Sequence, residues 1–132
     1  MASIFTKIVQ GEIPSYKVAE SSEFYAFLDI NPLSKGHTLV IPKVEVDYIY
    51  DLEDDMLKDL HLFAKNIAKA IEKVIPCKRI GVVAYGLDVP HAHLHLIPLI
   101  DGGEINFTRK RVKLSPKEFS EIASAISKEF KS

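Results

Sequence analysis

The sequence predicts an α+β fold: a five-stranded, mostly antiparallel sheet with one long helix and a C-terminal helix. Three observations lead there. Short aromatic and apolar runs are separated by turn residues, a long stretch carries apolar positions at three- and four-residue steps, and a capped helix start stands near the end. A chain of 132 residues has single-domain length and can bury roughly 68% of the surface its unfolded form exposes. Hydrophobic residues at 47% and charged residues at 27% fit a folded chain and exclude a disordered one.

Residues 16–19 and 24–28 read as two strands joined by the polar turn Glu20-Ser21-Ser22-Glu23. Residues 29–36 form a loop punctuated by Pro32 and Gly36, and residues 37–41 a third strand that Pro42 stops. From 53 to 74 the period becomes helical: Leu57, Leu60, Ala64, Ile67, Ile71 and Val74 make one stripe. Asp54 and Asp55 suit the first turn of that helix, and Pro76 ends it. His61 falls on its polar face and is expected in solvent.

Residues 79–85 predict a buried strand, and residues 91–98 a strictly alternating one. Gly102-Gly103 marks a turn, and Arg109, Lys110, Arg111 and Lys113 read as a solvated basic edge strand. Ser115-Pro116-Lys117-Glu118 is a capping box with proline at the first helical position. The apolar stripe of this helix is Phe119, Ile122, Ala123, Ile126 and Phe130. The chain thus divides into a domain over 1–100 and an extension over 101–132, whose helix (about 116–130) packs on the same domain.

Seventeen Lys and Arg against 18 Asp and Glu give a net charge of −1, which excludes bulk attraction to nucleic acid. No apolar run approaches the ~18–20 residues of a membrane span, and the first eleven residues lack the order of a signal peptide. Cys77 stands alone, so no intrachain disulfide and no cysteine-based zinc cluster form. The cytosol is the expected compartment.

The informative feature is His91-Ala92-His93-Leu94-His95. On a strand its three imidazoles share one face, ~6.5–7 Å apart, while Ala92, Leu94 and Leu96 share the other. A solvated polar face is the bland reading. Two chemical readings stand beside it: a metal site completed by His37, or nucleophilic catalysis by imidazole, which is a good nucleophile near neutral pH.

The run Gly86-Leu87-Asp88-Val89-Pro90-His91-Ala92-His93-Leu94-His95-Leu96-Ile97 resembles the signature of the histidine triad family. Residues 3–14, 26–32 and 36–43 are similar to that family's opening segment, ribose-binding turn and fourth-histidine strand. The resemblance implies a nucleotide hydrolase or transferase, usually a homodimer in which two five-stranded sheets join into ten strands. It implies His93 as the nucleophile toward an α-phosphorus and His95 as the residue that contacts phosphate and aids proton transfer at the leaving group. His91 would brace the site, and His37 would orient the nucleophile. Asp29 would bind ribose hydroxyls. Ile4, Phe5, Ile8, Phe27, Leu28 and Ile30 would surround the base, and the backbone of Asp88 and Val89 would serve the phosphate. The implied partner is a purine nucleotide, with no cofactor and no nucleic acid or membrane.

Three departures from the family pattern stand out. Ser3, Thr6 and Glu45 replace three ligands of the structural zinc found in many bacterial relatives, so that site is lost. Ala84, Leu87 and Asp88 replace an Asn, a Gln and a Ser or Thr of purine-phosphoramidase relatives. Asp88 should repel an anion unless it turns away or pairs with His91 or His95. Residues 101–132 match no motif of the family. The implied reaction is cleavage of a nucleoside phosphoramidate through a nucleotidyl-histidine intermediate. A dinucleoside polyphosphate hydrolase and a low-activity nucleotide-binding scaffold are the alternatives.

Overall fold

The computed structural model describes residues 2–131. Its sheet has the strand order β1-β2-β3-β5-β4, with β1 at Lys17–Glu20, β2 at Phe24–Leu28, β3 at Thr38–Pro42, β4 at Arg79–Val83 and β5 at Leu94–Leu99. Every pairing is antiparallel. The α+β expectation of five strands therefore holds. Helix α1 spans Ile4–Val9, α2 Asp54–Val74 and α3 Pro116–Glu129.

The two faces of the sheet bury different residue sets. Ala26, Leu28 and Val40 join Ala92, Leu94 and Leu96 against Leu60, Ile67 and Ile71 of α2 and Phe119 and Ile126 of α3. This is the main core, and it uses the helical stripes read from the sequence. Tyr25, Phe27, Leu39 and Ile41 turn to the opposite face, where Phe5 and Ile8 of α1 cover them. Strands β2 and β3 are consequently buried along their whole length. Such strands read as continuous apolar runs because neither face meets water.

Helix α3 begins with the expected capping box, Ser115 Oγ accepting from Glu118 N and Glu118 Oε1 accepting from Ser115 N. It packs on α2 and β1, where Phe119 stacks on Tyr16 at 4.9 Å. Helix α1 was not foreseen: its six residues are too few to show a period, and tertiary packing stabilises it instead. Ser3 caps it by accepting from Thr6 N.

Three strand boundaries near the site differ from the sequence expectation, one expected strand is absent, and β4, expected to be buried, has no buried residue. Strand β4 ends at Val83, β3 begins after His37, and β5 begins at Leu94, so His91 and His93 precede the strand. The basic stretch 109–114 is irregular chain, not an edge strand. Gly36 makes the return into His37 possible: its φ is +91°, and a Cβ there would lie 2.7 Å from Ile75 Cγ1.

Candidate active site

Register places the histidines. Leu39 of β3 pairs with His95 of β5, and His95 pairs on its other side with Val83 of β4. The residue just before β3, His37, thereby reaches His95. The chain ahead of β5 keeps its two-residue alternation without ladder bonds, so Ala92, Leu94 and Leu96 enter the main core while the three imidazoles gather opposite. The rings of His93 and His95 lie 4.9 Å apart. All four histidines are at most 2% exposed.

Hydrogen bonds assign the proton on each ring. Leu33 N–H donates to His37 Nδ1 at 3.0 Å, so His37 carries its hydrogen on Nε2 and donates it to His95 Nδ1 at 2.9 Å. His95 therefore holds its own hydrogen on Nε2. His93 Nδ1 donates to the His91 carbonyl at 2.7 Å, which leaves a bare lone pair on His93 Nε2. His91 donates from Nε2 to the Pro42 carbonyl at 2.8 Å and accepts at Nδ1 from Ser3 Oγ at 2.7 Å. One expectation is corrected here. His37 orients His95, not His93, because β3 pairs with β5 at Leu39 and His95; the tautomer of His93 is fixed by the backbone of His91.

Burial favours the neutral form of His37, His91 and His95. It pushes His37 down to about 3, helped by the nearby positive charge of Arg111. It pushes His95 down to about 4, helped by His93 and His37, and it lowers His91 as well. Among the described residues, His93 Nε2 and His95 Nε2 are the buried side-chain nitrogen and oxygen atoms that lack a hydrogen-bond partner. One is a lone pair and the other an N–H. Side by side, they offer a nucleophile and a donor to the same incoming group.

Asp88, whose carboxylate lies 3.2 Å from His93 Nε2 and 3.9 Å from His95 Nε2, also lines a cleft of about 200 Å³. Ile4, Phe5 and Ile8 from α1, Phe27 and Leu28 from β2, and Asp29 and Ile30 beyond it all line this cleft, as does Val89. The structure thus brings every one of these sequence-singled residues to one place. Ile4 and Ile30 are 49% and 72% exposed at its mouth, an apolar surface that a flat ring would cover. Asp29 accepts from Asn31 N through Oδ1 and sets Oδ2 3.6 Å from His37 Nε2. His61 is exposed on α2, as expected.

Asp88 neither turns away nor pairs with His91, whose two nitrogens are already engaged. Its Oδ1 lies 3.2 Å from His93 Nε2 and its Oδ2 3.9 Å from His95 Nε2, without hydrogen-bond alignment. Val89 N–H donates to Asp88 Oδ1 at 3.1 Å, so that amide is occupied.

Several neighbours escaped the sequence reading. Ile13, Pro14, Ser15 and Leu39 also line the cleft. The Phe107 ring stands edge-on to His95 at 5.0 Å and stacks on Tyr85 at 4.5 Å. Arg111, read as part of a solvated stretch, donates to the carbonyls of Asn31 and Phe107. Phe107 and Arg111 sit in irregular chain, where no periodicity signals an inward side.

Among the described residues, two side-chain sets have ligand atoms close enough to span an ion: Asp88, His93 and His95, and Asp29, His37 and His95. Their chemistry does not suit one. His95 Nε2 bears the hydrogen that the relay from Leu33 imposes, and His37 Nε2 and His95 Nδ1 are bonded to each other. Neither set offers two imidazole lone pairs. Ser3, Thr6, Glu45 and His91 do assemble, through hydrogen bonds: Glu45 Oε1 accepts from Ser3 N at 2.7 Å and from Thr6 Oγ1 at 2.6 Å.

Residues 10–101 match the HIT domain. A HIT-like protein of Borreliella burgdorferi is 36% identical over 94% of this chain and 95% of its own. The adenosine 5'-monophosphoramidase of Saccharomyces cerevisiae is 42% identical over 76% of this chain; the match spans 64% of that enzyme. Among solved structures, a HIT-like protein of Bartonella henselae superposes with a TM-score of 0.84 at 31% identity, covering 97% of this chain and 96% of that one.

Proposed function

The chain belongs to the HIT domain family, and from that premise we propose that it is a nucleotide-binding hydrolase that cleaves at the α-phosphorus of a nucleoside phosphoramidate. A single observation carries this reading. The bare, buried Nε2 of His93 stands beside the Nε2–H of His95, 3.2 Å from Asp88, which with Asp29 supplies the carboxylates of an otherwise largely apolar cleft. Among related enzymes, the monophosphoramidase of Saccharomyces cerevisiae supports the choice of an adenosine phosphoramidate as substrate.

In this reading the base lies between Ile4, Phe5 and Ile8 on one side and Phe27 and Ile30 on the other, and Asp29 accepts from ribose hydroxyls. His93 Nε2 attacks phosphorus and forms a nucleotidyl-histidine. The His91 carbonyl, already accepting from Nδ1, stabilises the positive charge the ring gains. His95 Nε2–H donates to a phosphoryl oxygen, and His37 holds it in that tautomer. Water then releases the nucleoside monophosphate. No metal takes part.

The protein is further read as a homodimer joined at the open edge of β4, where Val82 is 55% exposed, and as an enzyme of the cytosol, in keeping with its unpaired Cys77. Among the described residues no helix is long and apolar enough to cross a membrane.

Trapping tests the central claim. Wild-type protein is mixed with an adenosine phosphoramidate, quenched in milliseconds and digested. Mass spectrometry should find an adenylyl group on the peptide carrying His93. Turnover that persists in His93→Ala defeats the reading, and AMP binding without any turnover favours the scaffold.

A further inference from the structure

The site lacks an obvious source for the proton that a departing amine needs. His95 has one hydrogen, on Nε2, and its Nδ1 is filled by His37. Giving that hydrogen up would leave an imidazolate. His37 and His91 have both ring nitrogens engaged. Arg111 is held by two carbonyls, and Asp29, 3.6 Å from His37 Nε2, is committed to the ribose in the reading above. Among the described titratable groups around the triad, Asp88 is the one that faces His93 Nε2, at 3.2 Å, and its side chain is also 43% exposed.

Resting on the hydrolase reading above, we infer that Asp88 is the acid–base residue of the reaction, protonating the departing amine and then deprotonating the attacking water. The position agrees with in-line displacement. A reacting phosphorus approaches its nucleophile to ~3–3.5 Å, the space that the Asp88 carboxylate fills in the empty site. Substrate must displace it. The side chain is held only by its neighbour's amide, so it yields outward, toward the side from which the leaving group departs. Negative phosphoryl oxygens beside it favour its protonated form, as any like charge within ~4–6 Å does.

The steps balance. His93 Nε2 gives its lone pair to phosphorus as the P–N bond breaks. The electron pair stays on nitrogen, the Asp88 carboxyl supplies a proton, and the amine leaves neutral. A water oxygen then bonds to phosphorus, its proton passes to the Asp88 carboxylate, and the N–P pair returns to His93. Asp88 ends as it began.

The test compares first-turnover rates of wild type and Asp88→Asn on two adenylates, an alkylamine phosphoramidate and the p-nitrophenyl ester. Loss of general acid catalysis should slow the amine substrate by about 10²–10⁴-fold. The ester should slow less than about tenfold, because p-nitrophenolate departs without a proton. With no base for the second step, Asp88→Asn should release one burst of nitrophenolate per site and accumulate adenylyl-His93. Asp88→Glu, which keeps the carboxyl at another reach, should retain much more of the amine rate than Asp88→Asn, which separates proton transfer from shape. Equal losses on both substrates, or no loss on the amine, overturn the assignment while the hydrolase reading survives. Wild-type turnover that is insensitive to His93→Ala removes both.

Discussion

His37 Nε2 lies 2.9 Å from His95 Nδ1, and this bond decides which end of the second imidazole carries the hydrogen. The relay starts at a backbone amide, Leu33 N–H, so it is set by the fold and not by solvent. Without the His37 ring, His95 can adopt either tautomer, and the donor aimed at the phosphate is no longer guaranteed. His37→Ala is expected to lower kcat by about 10- to 100-fold, the cost of an outer partner that orients a reactive ring. AMP affinity should change little. Nitrogen NMR on the wild type should show hydrogen on Nδ1 of His93 and on Nε2 of His95.

Neutral, buried histidines make stability depend on pH with a definite sign. His37 and His95 drop from 6.5 to about 3 and about 4, so below pH 6.5 the unfolded chain binds protons that the native one refuses. Their contribution to stability is complete above pH 6.5 and is lost as pH falls through the window down to about 4 and then about 3. Two such protons correspond to a slope of roughly 2–3 kcal/mol per pH unit inside that window. Urea titrations between pH 7 and 5 should show the decline, and His37→Asn should flatten it. An unchanged slope in that variant contradicts the assignment of neutral rings.

Ser3 performs two tasks, capping α1 and donating to His91 Nδ1. Ser3→Ala should cost about 1–3 kcal/mol in urea unfolding, since it removes a cap and strands a buried acceptor. Loss of the Glu45 carboxylate should act through the same helix. Glu45→Ala is expected to raise KM several-fold with a smaller change in kcat, because the α1 residues line the cleft. A pure kcat effect would place its influence on His93 instead.

Ile30 separates ligand binding from folding. At 72% exposure it contributes little to the core, so Ile30→Ala should leave the unfolding midpoint within about 0.5 kcal/mol of wild type. AMP should nonetheless bind several-fold more weakly by calorimetry. Ile67→Ala, at a fully buried position in α2, should do the reverse and cost about 2–5 kcal/mol.

Both long helices and the side-by-side histidines were legible because each is written in a period, three and four for α2 and α3 and two for residues 91–97, while β2 and β3 showed as apolar runs between turn residues. Ala92, Leu94 and Leu96 kept that alternation even where the ladder bonds are missing, since the core needs them on one side. What stayed hidden has no period. Helix α1 owes its existence to Phe5 and Ile8 covering β2 and β3, and Phe107 owes its place to Tyr85 and His95. The partner of His37 was misjudged for a related reason: a register of strands, not a motif, decides which ring a neighbouring histidine meets. Asp88 was visible as an oddity, but its proximity to His93 is a property of the loop in three dimensions.

Val83, the register partner of His95, belongs to the outermost strand of the sheet. A single strand spacing, ~4.8 Å, therefore separates His95 from the marginal strand. The proposed reacting centre thus lies one strand in from the edge of the sheet, not at its middle. Anything that stiffens or frays that edge, a second protomer included, is felt by His95 through one row of amide bonds.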